Sequence, residues 1–365
     1  ASSVAYSGLI SGDTFNGTYI AAFSDKNVGT GKTVTITPSY SGADVSNYSI
    51  TNHADVTANI TAKALTVSGI TASSKTYDGS ASATLDTSSV LYSGLVSGDT
   101  FTGSYTGAFS NANVGTGKTV TITSSYSGAD SGNYSVTDQS STTADISTKA
   151  LTATASASNK TYDGGTTAST TLTFSGLVGS ETLGQTVGST FDNKNVGSNK
   201  SVSVNSITLA DGTGLAANYS ISAGQTTTAH ISPKSLTVSG NTASNKTYNS
   251  NSSATVTVTL SGFVGSETLT YTNSSSFNNK NVGTGKTVTV DSITLADGNN
   301  GGLASNYSVT PGQTTTANIT AKSLTVSGII ASSKTYDGSA SATLDTSSVL
   351  YSGIISGDTF TGSYT

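Results

Sequence analysis

The chain has 365 residues, of which 10% are charged and 34% hydrophobic, with a formal net charge of -5. Its 15 basic residues are all lysine, and arginine, cysteine, methionine and tryptophan are absent. A nucleic-acid backbone requires clustered cations, so no nucleic acid is expected as a partner. The lack of cysteine removes disulfides, thiolate metal sites and thiol catalysis, and suits export through a bacterial periplasm.

Low charge often accompanies disorder, but disordered chains lack aromatic and β-branched residues. This one carries 17 Tyr and 9 Phe beside abundant Thr, Val and Ile, and reads as folded β structure with thin cores. No apolar run approaches the roughly 20 residues of a membrane span, so no membrane insertion is expected in this segment. No charged-then-apolar leader opens it either, which places any signal or anchor outside it.

In chain order, residues 1–62 bring YSGLISGDTF at 6–15, Asn-Val-Gly at 27–29, GKTVTIT at 31–37 and Asn-Tyr-Ser at 47–49. In GKTVTIT, Val and Ile fall on one face and Thr on the other, the period of a half-buried strand. Residues 63–148 repeat the series after a Lys-x-Leu-Thr block at Lys63 and a Lys-Thr-Tyr-Asp-Gly string at 75–79. Residues 149–233 and 234–321 follow, with GLVGSETL at 176–183 and GFVGSETL at 262–269 replacing YSGLVSGDTF, and with SVSVNSITLA and TVTVDSITLA as the long strands. Residues 322–365 return to the first type, and 323–365 match 64–106 at all but four positions. Asp-Gly pairs at 78–79, 163–164, 211–212 and 297–298 mark turns, and no stretch has a helical period.

Lys-x-Leu-Thr recurs at Lys63, Lys149, Lys234 and Lys322, at intervals of 86, 85 and 88 residues. Solenoid coils repeat every 20 to 45 residues or so, hence a period near 86 indicates small domains in tandem. About seven short strands per repeat, with turn signals roughly every 8 to 12 residues, predict an all-β fold of tandem immunoglobulin-like β-sandwich modules forming an elongated rod. The expected modules are 63–148, 149–233 and 234–321, flanked by partial modules at 1–62 (second part) and 322–365 (first part). Because the partial copies overlap by about twenty aligned residues, we expect an excerpt of a longer array rather than ends that complete one another.

Ile60 and Leu65, Ile146 and Leu151, Ile231 and Leu236, and Ile319 and Leu324 are each separated by five positions. An odd step changes the face of the alternation, so the last strand of one module should run into the first of the next without a linker, giving stiff joints.

The string Lys75, Tyr77, Asp78, Gly79 returns as Lys160, Tyr162, Asp163, Gly164 and as Lys334, Tyr336, Asp337, Gly338; the fourth copy keeps Lys246 and Tyr248 but continues Asn249-Ser250. With the closing pattern Ala-x-Ile-(Ser/Thr)-x-Lys-x-Leu-Thr, it resembles the YDG domain, a bacterial immunoglobulin-like repeat of very large secreted surface proteins that include filamentous-haemagglutinin-type adhesins. The resemblance implies a β-sandwich stalk at the extracellular bacterial cell surface and no activity. On physical grounds Tyr77 should pack its ring on the sandwich edge while Asp78 and Gly79 make the turn.

Other chemistries are weakly signalled. Calcium needs several converging carboxylates, whereas Asp13, Asp44, Asp78, Asp99 and Asp130 are isolated, so no metal or cofactor is expected. A Lys–Asn isopeptide bond among Lys75, Lys118 and Asn133 would need a buried acid, and the recurrent Asp78 becomes Asn249. His53 and His230 fall at different repeat positions, which argues against an enzyme. Asn-Tyr-Ser at 47, 133, 218 and 306 is formally a glycan acceptor pattern, although its Tyr reads as a core anchor.

The expected function is a structural segment of a long fibre or adhesin stalk. Its partners are neighbouring modules and, in a filament, identical chains; a host or surface glycan would be met by regions outside this segment. The alternative is a string of carbohydrate-binding modules, with Tyr105 among the rings stacking on sugar.

Overall fold

The computed structural model describes residues 4–365. Among them the chain is all-β, and its helical segments are single 3-10 turns at Val45–Asn47, Ser131–Asn133, Ala216–Asn218 and Ala304–Asn306, each ending on the Asn of an Asn-Tyr-Ser string. None is long and apolar enough to cross a membrane.

Residues 63–148 show how one repeat is built. Strands Thr102–Phe109 and Gly115–Ser127 form a long hairpin, extended on one side by Ser82–Ala83 and on the other by Ser141–Ser147 and Lys75–Thr76. A second sheet joins Tyr134–Thr137, Lys63–Ser68 and Leu91–Ser93, its first pair parallel and its second antiparallel. The opening segment therefore serves both sheets: Lys63–Ser68 lies in one, and Lys75–Thr76 runs parallel to the closing strand in the other, with Ile146 opposite Lys75. Both sheets feed one core, in which Val67, Ile70 and Ile122 are buried against Leu85, Tyr92, Tyr105 and Val136. Val120, Phe109 and Ile146, which alternation points inward, are also buried.

The long strand carries one register shift, between Gly115 and Lys118. Gly117 there takes a positive φ of 58°, and in the third copy Asn199 holds the same place at 52°. Asn is the side chain that tolerates this left-handed region best after Gly, which explains why Ser-Asn-Lys can stand for Thr-Gly-Lys.

Consecutive repeats run on without a linker. Strand Ser141–Ser147 is followed after one residue by Lys149–Ala150, and Ile146 and Leu151 are both buried. Ile231 and Leu236 are buried likewise, on strands Thr226–Ser232 and Lys234–Ala243.

The chain divides into two compact units, one of Ala1–Thr152, Ser175–Gly184 and Ala210–Ile221, the other of Ala153–Phe174, Gln185–Leu209 and Ser222–Thr365. The division falls inside repeat 149–233, so each joint between repeats lies whole within one unit. In the second unit a single core gathers Tyr162, Phe191, Val202 and Ile231 from one repeat with Leu236 and Tyr307 from the next.

Candidate functional site: the joint between repeats

The Lys-Thr-Tyr-Asp-Gly string folds into a turn around its own lysine. Lys75 Nζ donates to Asp78 Oδ1 at 2.8 Å and to the carbonyls of Ser80 and Ser82 at 2.7 and 3.1 Å, and lies 5.6 Å from the centre of the Phe109 ring. Asp78 Oδ1 also accepts the Ser80 amide at 2.8 Å. The Lys75 ammonium and then that amide hold the Asp78 carboxyl below the usual carboxylate range. Lys160 and Lys334 make the same contacts with Asp163 and Asp337.

The fourth copy keeps this turn without the Asp. Lys246 donates to Asn251 Oδ1 at 3.0 Å and to the carbonyls of Asn251 and Ser253, while Ser250 takes the glycine's place at φ 68°. A side-chain carbonyl two residues on thus replaces the carboxylate.

What the turn presents is its tyrosine. Tyr77 is pinned through its amide to the Ser147 carbonyl, 2.9 Å away, and its hydroxyl donates to Glu181 Oε1 of the following repeat at 2.7 Å. The other oxygen of Glu181 accepts the hydroxyl of Tyr219, and the two rings meet edge to face with centres 5.4 Å apart. Gly79, at φ 79°, faces Val178 of the following repeat, where a Cβ would come within 2.9 Å of Cγ1.

The second unit repeats the arrangement with a cation added. Tyr162 and Tyr307 donate to the two oxygens of Glu267, each at 2.7 Å, and Lys194 Nζ lies 2.8 Å from Oε1. Glu267 is buried; burial raises its pKa, but Lys194 and the two hydroxyls outweigh this and hold the carboxyl below its usual range. Conversely, the hydrogen bond to Glu181 and then burial push the Tyr77 hydroxyl up to about 12, so it remains a donor at all physiological pH values. Tyr248, the variant copy's tyrosine, donates to Asp358 at 3.0 Å.

A second clamp comes from the Asn-Tyr-Ser asparagine. Asn218 Oδ1 accepts the Val114 amide at 2.9 Å and its Nδ2 donates to Asn113 Oδ1 at 3.0 Å. Asn306 holds Val196 and Asn195, and Asn133 holds Val28 and Asn27, in the same way. One repeat thus offers its Tyr-Asp-Gly turn and Asn-Val-Gly loop, and the next offers an acid turn and the Asn-Tyr-Ser string.

A family model of the YDG domain matches residues 1–58, 61–144, 147–229 and 232–317. The chain belongs to the YDG-domain family. No curated protein matches it. The four YDG matches run in tandem, and the interlocking strings are the ones that recur within them.

Some placements differ from the sequence reading. Tyr77 and Tyr162 do not finish on the edge of their own YDG repeat but are buried against the next one. Tyr336 carries the same turn, with Lys334 Nζ 2.9 Å from Asp337, yet is 94% exposed, so the turn forms without an acceptor in place. Lys75 and Lys118 pair with Asp78 and Asn111, whereas Asn133 pairs with Val28 and Asn27, which leaves the isopeptide candidates in separate networks. Asn218 and Asn306 are 1% and 0% exposed, closing those formal glycan acceptors.

Sequence reasoning missed Glu181, Glu267 and Asp358 as partners of the YDG tyrosine. A signal existed: the strings Ser-Gly-Asp and Gly-Ser-Glu place an acid once per repeat, and those at Glu181, Glu267 and Asp358 each lie in a copy preceded by a repeat that carries Lys-Thr-Tyr.

Proposed function

We propose that this chain is a structural segment of a long extracellular bacterial fibre or adhesin stalk, in which immunoglobulin-like YDG sandwiches are held at fixed angles to their neighbours. The observation that carries the reading is the tyrosine–carboxylate–tyrosine bridge with its asparagine clamp, made at the joints from the second repeat into the third and from the third into the fourth, between repeats that lack any linker. Hydrogen bonds to a charged acceptor are among the stronger ones, and here they cross from one folded repeat to the next. Such a joint resists bending, which a spacer needs and a hinge does not. The extracellular setting is inferred from the family resemblance, the low charge and the absence of cysteine.

The carbohydrate-binding alternative has less support: half-buried Tyr105 bonds the Tyr92 hydroxyl at 3.0 Å and packs its ring beside Tyr126, so much of its surface is engaged within the repeat.

The test measures stiffness. Spin labels on cysteines introduced at Thr123 and Ser220, both exposed, span the joint between the second and third repeats. A narrow distance distribution is expected, broadened by four glycines inserted after Lys149. A broad distribution in the uninserted chain would mean flexible joints and would end the stalk reading.

A further inference from the structure

The acceptor faces of the repeats are of two chemical kinds. In the second repeat the face carries two carboxylates, Asp99 from the Ser-Gly-Asp turn and Asp130 from the Ser-Gly-Ala-Asp string. Neutral donors occupy one oxygen of each: Tyr134 donates to Asp99 Oδ2 at 2.6 Å, and the Thr100 amide and hydroxyl donate to Asp130 Oδ2 at 2.9 and 3.2 Å. The remaining oxygens are bridged by one cation from the preceding repeat, Lys26, whose Nζ lies 3.2 Å from Asp99 Oδ1 and 2.8 Å from Asp130 Oδ1.

In the third repeat the face carries one acid. Thr213 Oγ1 takes the Thr182 amide at 2.8 Å, as Asp130 takes that of Thr100, and Glu181 is left as the single carboxylate. The preceding repeat presents Ala112 at the position of Lys26, and the two tyrosines satisfy Glu181 without a cation. The fourth repeat also has a single acid in this turn, Glu267, and there the position holds Lys194. Ahead of the fifth copy, which returns to Ser-Gly-Asp, it holds Lys280.

We propose that the two-carboxylate face is selective for its neighbour: it accepts a preceding YDG repeat only if that repeat carries lysine in the hairpin loop that leads into its long strand, directly before Asn-Val-Gly. The one-carboxylate face accepts lysine or alanine there. The order of repeat types is thereby restricted by charge.

The selectivity arises from the mismatch more than from the match. Lys26 has a side chain 67% exposed, and a pair with so wet a partner contributes little stability. Asp99 and Asp130, however, are only 14% and 11% exposed in their side chains. Closing that face with alanine would leave two neighbouring carboxylates away from water without a counter-charge, a penalty that acts against the wrong partner.

This inference rests on the joint being rigid, and one experiment separates the two ideas. In the full chain, spin labels at Thr37 and Thr123 span the first joint. The parent chain should show a narrow distribution, Lys26→Ala should lose it, and Lys26→Ala with Asp130→Asn should regain it. Labels at Thr123 and Ser220 should report no change in any of these variants. A broad parent distribution would overturn the rigid joint. A narrow parent with Lys26→Ala equally narrow, or broadened and unrestored by Asp130→Asn, would overturn charge selection alone.

Discussion

Tyr162 and Glu267 lie 105 positions apart in the chain, yet the hydroxyl of one sits 2.7 Å from the carboxylate of the other, and both side chains are buried. The bond joins two repeats and leaves the carboxylate with three donors, Tyr162, Tyr307 and Lys194. Replacing Tyr162 by Phe keeps the ring and removes one donor from a buried charge. We expect a loss of about 1–3 kcal/mol in unfolding free energy, measured by denaturant titration, because an acceptor so deprived bears its desolvation cost.

Acid should loosen the same joint. The folded-state pKa of Glu267 lies below its usual value, so its contribution to stability is complete above the unfolded pKa of about 4.3 and is lost as pH falls through the folded value. Glu267→Gln should be less stable than the parent at neutral pH, and the gap should shrink on acidification below pH ~4. A gap independent of pH would show that the charge contributes nothing.

Alkali acts at the other partner. The Tyr77 pKa is raised to about 12, so its contribution is complete below the unfolded value near 10 and disappears as pH rises through about 12. Tyr77→Phe should remove part of the alkaline loss of stability seen by fluorescence-monitored unfolding. Absorbance titration should show fewer high-pKa phenols in the variant.

Glycine in the Tyr-Asp-Gly turn meets two requirements, and two substitutions separate them. Gly164 has φ 80° and a Cβ there would come within 2.6 Å of Val264 Cγ1, while Gly338 has φ 76° with nothing within 4 Å. Gly338→Ala should cost the backbone term alone, about 1–2 kcal/mol. Gly164→Ala should cost more and should broaden the joint's distance distribution. Equal effects would mean that Val264 yields freely.

Ala112→Lys tests whether the joint at Glu181 can take the cation that Lys194 supplies at Glu267. A small gain of about 0–1 kcal/mol in unfolding free energy is expected, fading with added salt. A loss of stability would show that the one-acid face discriminates against lysine.

Much of this protein is legible in its letters, for a physical reason. The alternation in GKTVTIT places Val120 and Ile122 inward because side chains on a strand change face at every residue, and both are buried. The Lys75–Asp78 turn closes within eight residues, and its lysine and acid are in the string itself. Ile146 and Leu151 mark the run-on between repeats because burial on both sides of a short step leaves no room for a linker.

The partners across the joints were settled only in three dimensions. Nothing local to Tyr77 indicates that Glu181, 104 positions away, will receive its hydroxyl, because that depends on how one folded repeat seats on the next. The same seating turns Asn218 from a formal glycan acceptor into a buried clamp on Val114. Periodicity and turn chemistry act between residues near in sequence and can be read from it; burial and hydrogen bonding between repeats depend on surfaces that exist only once each repeat has folded.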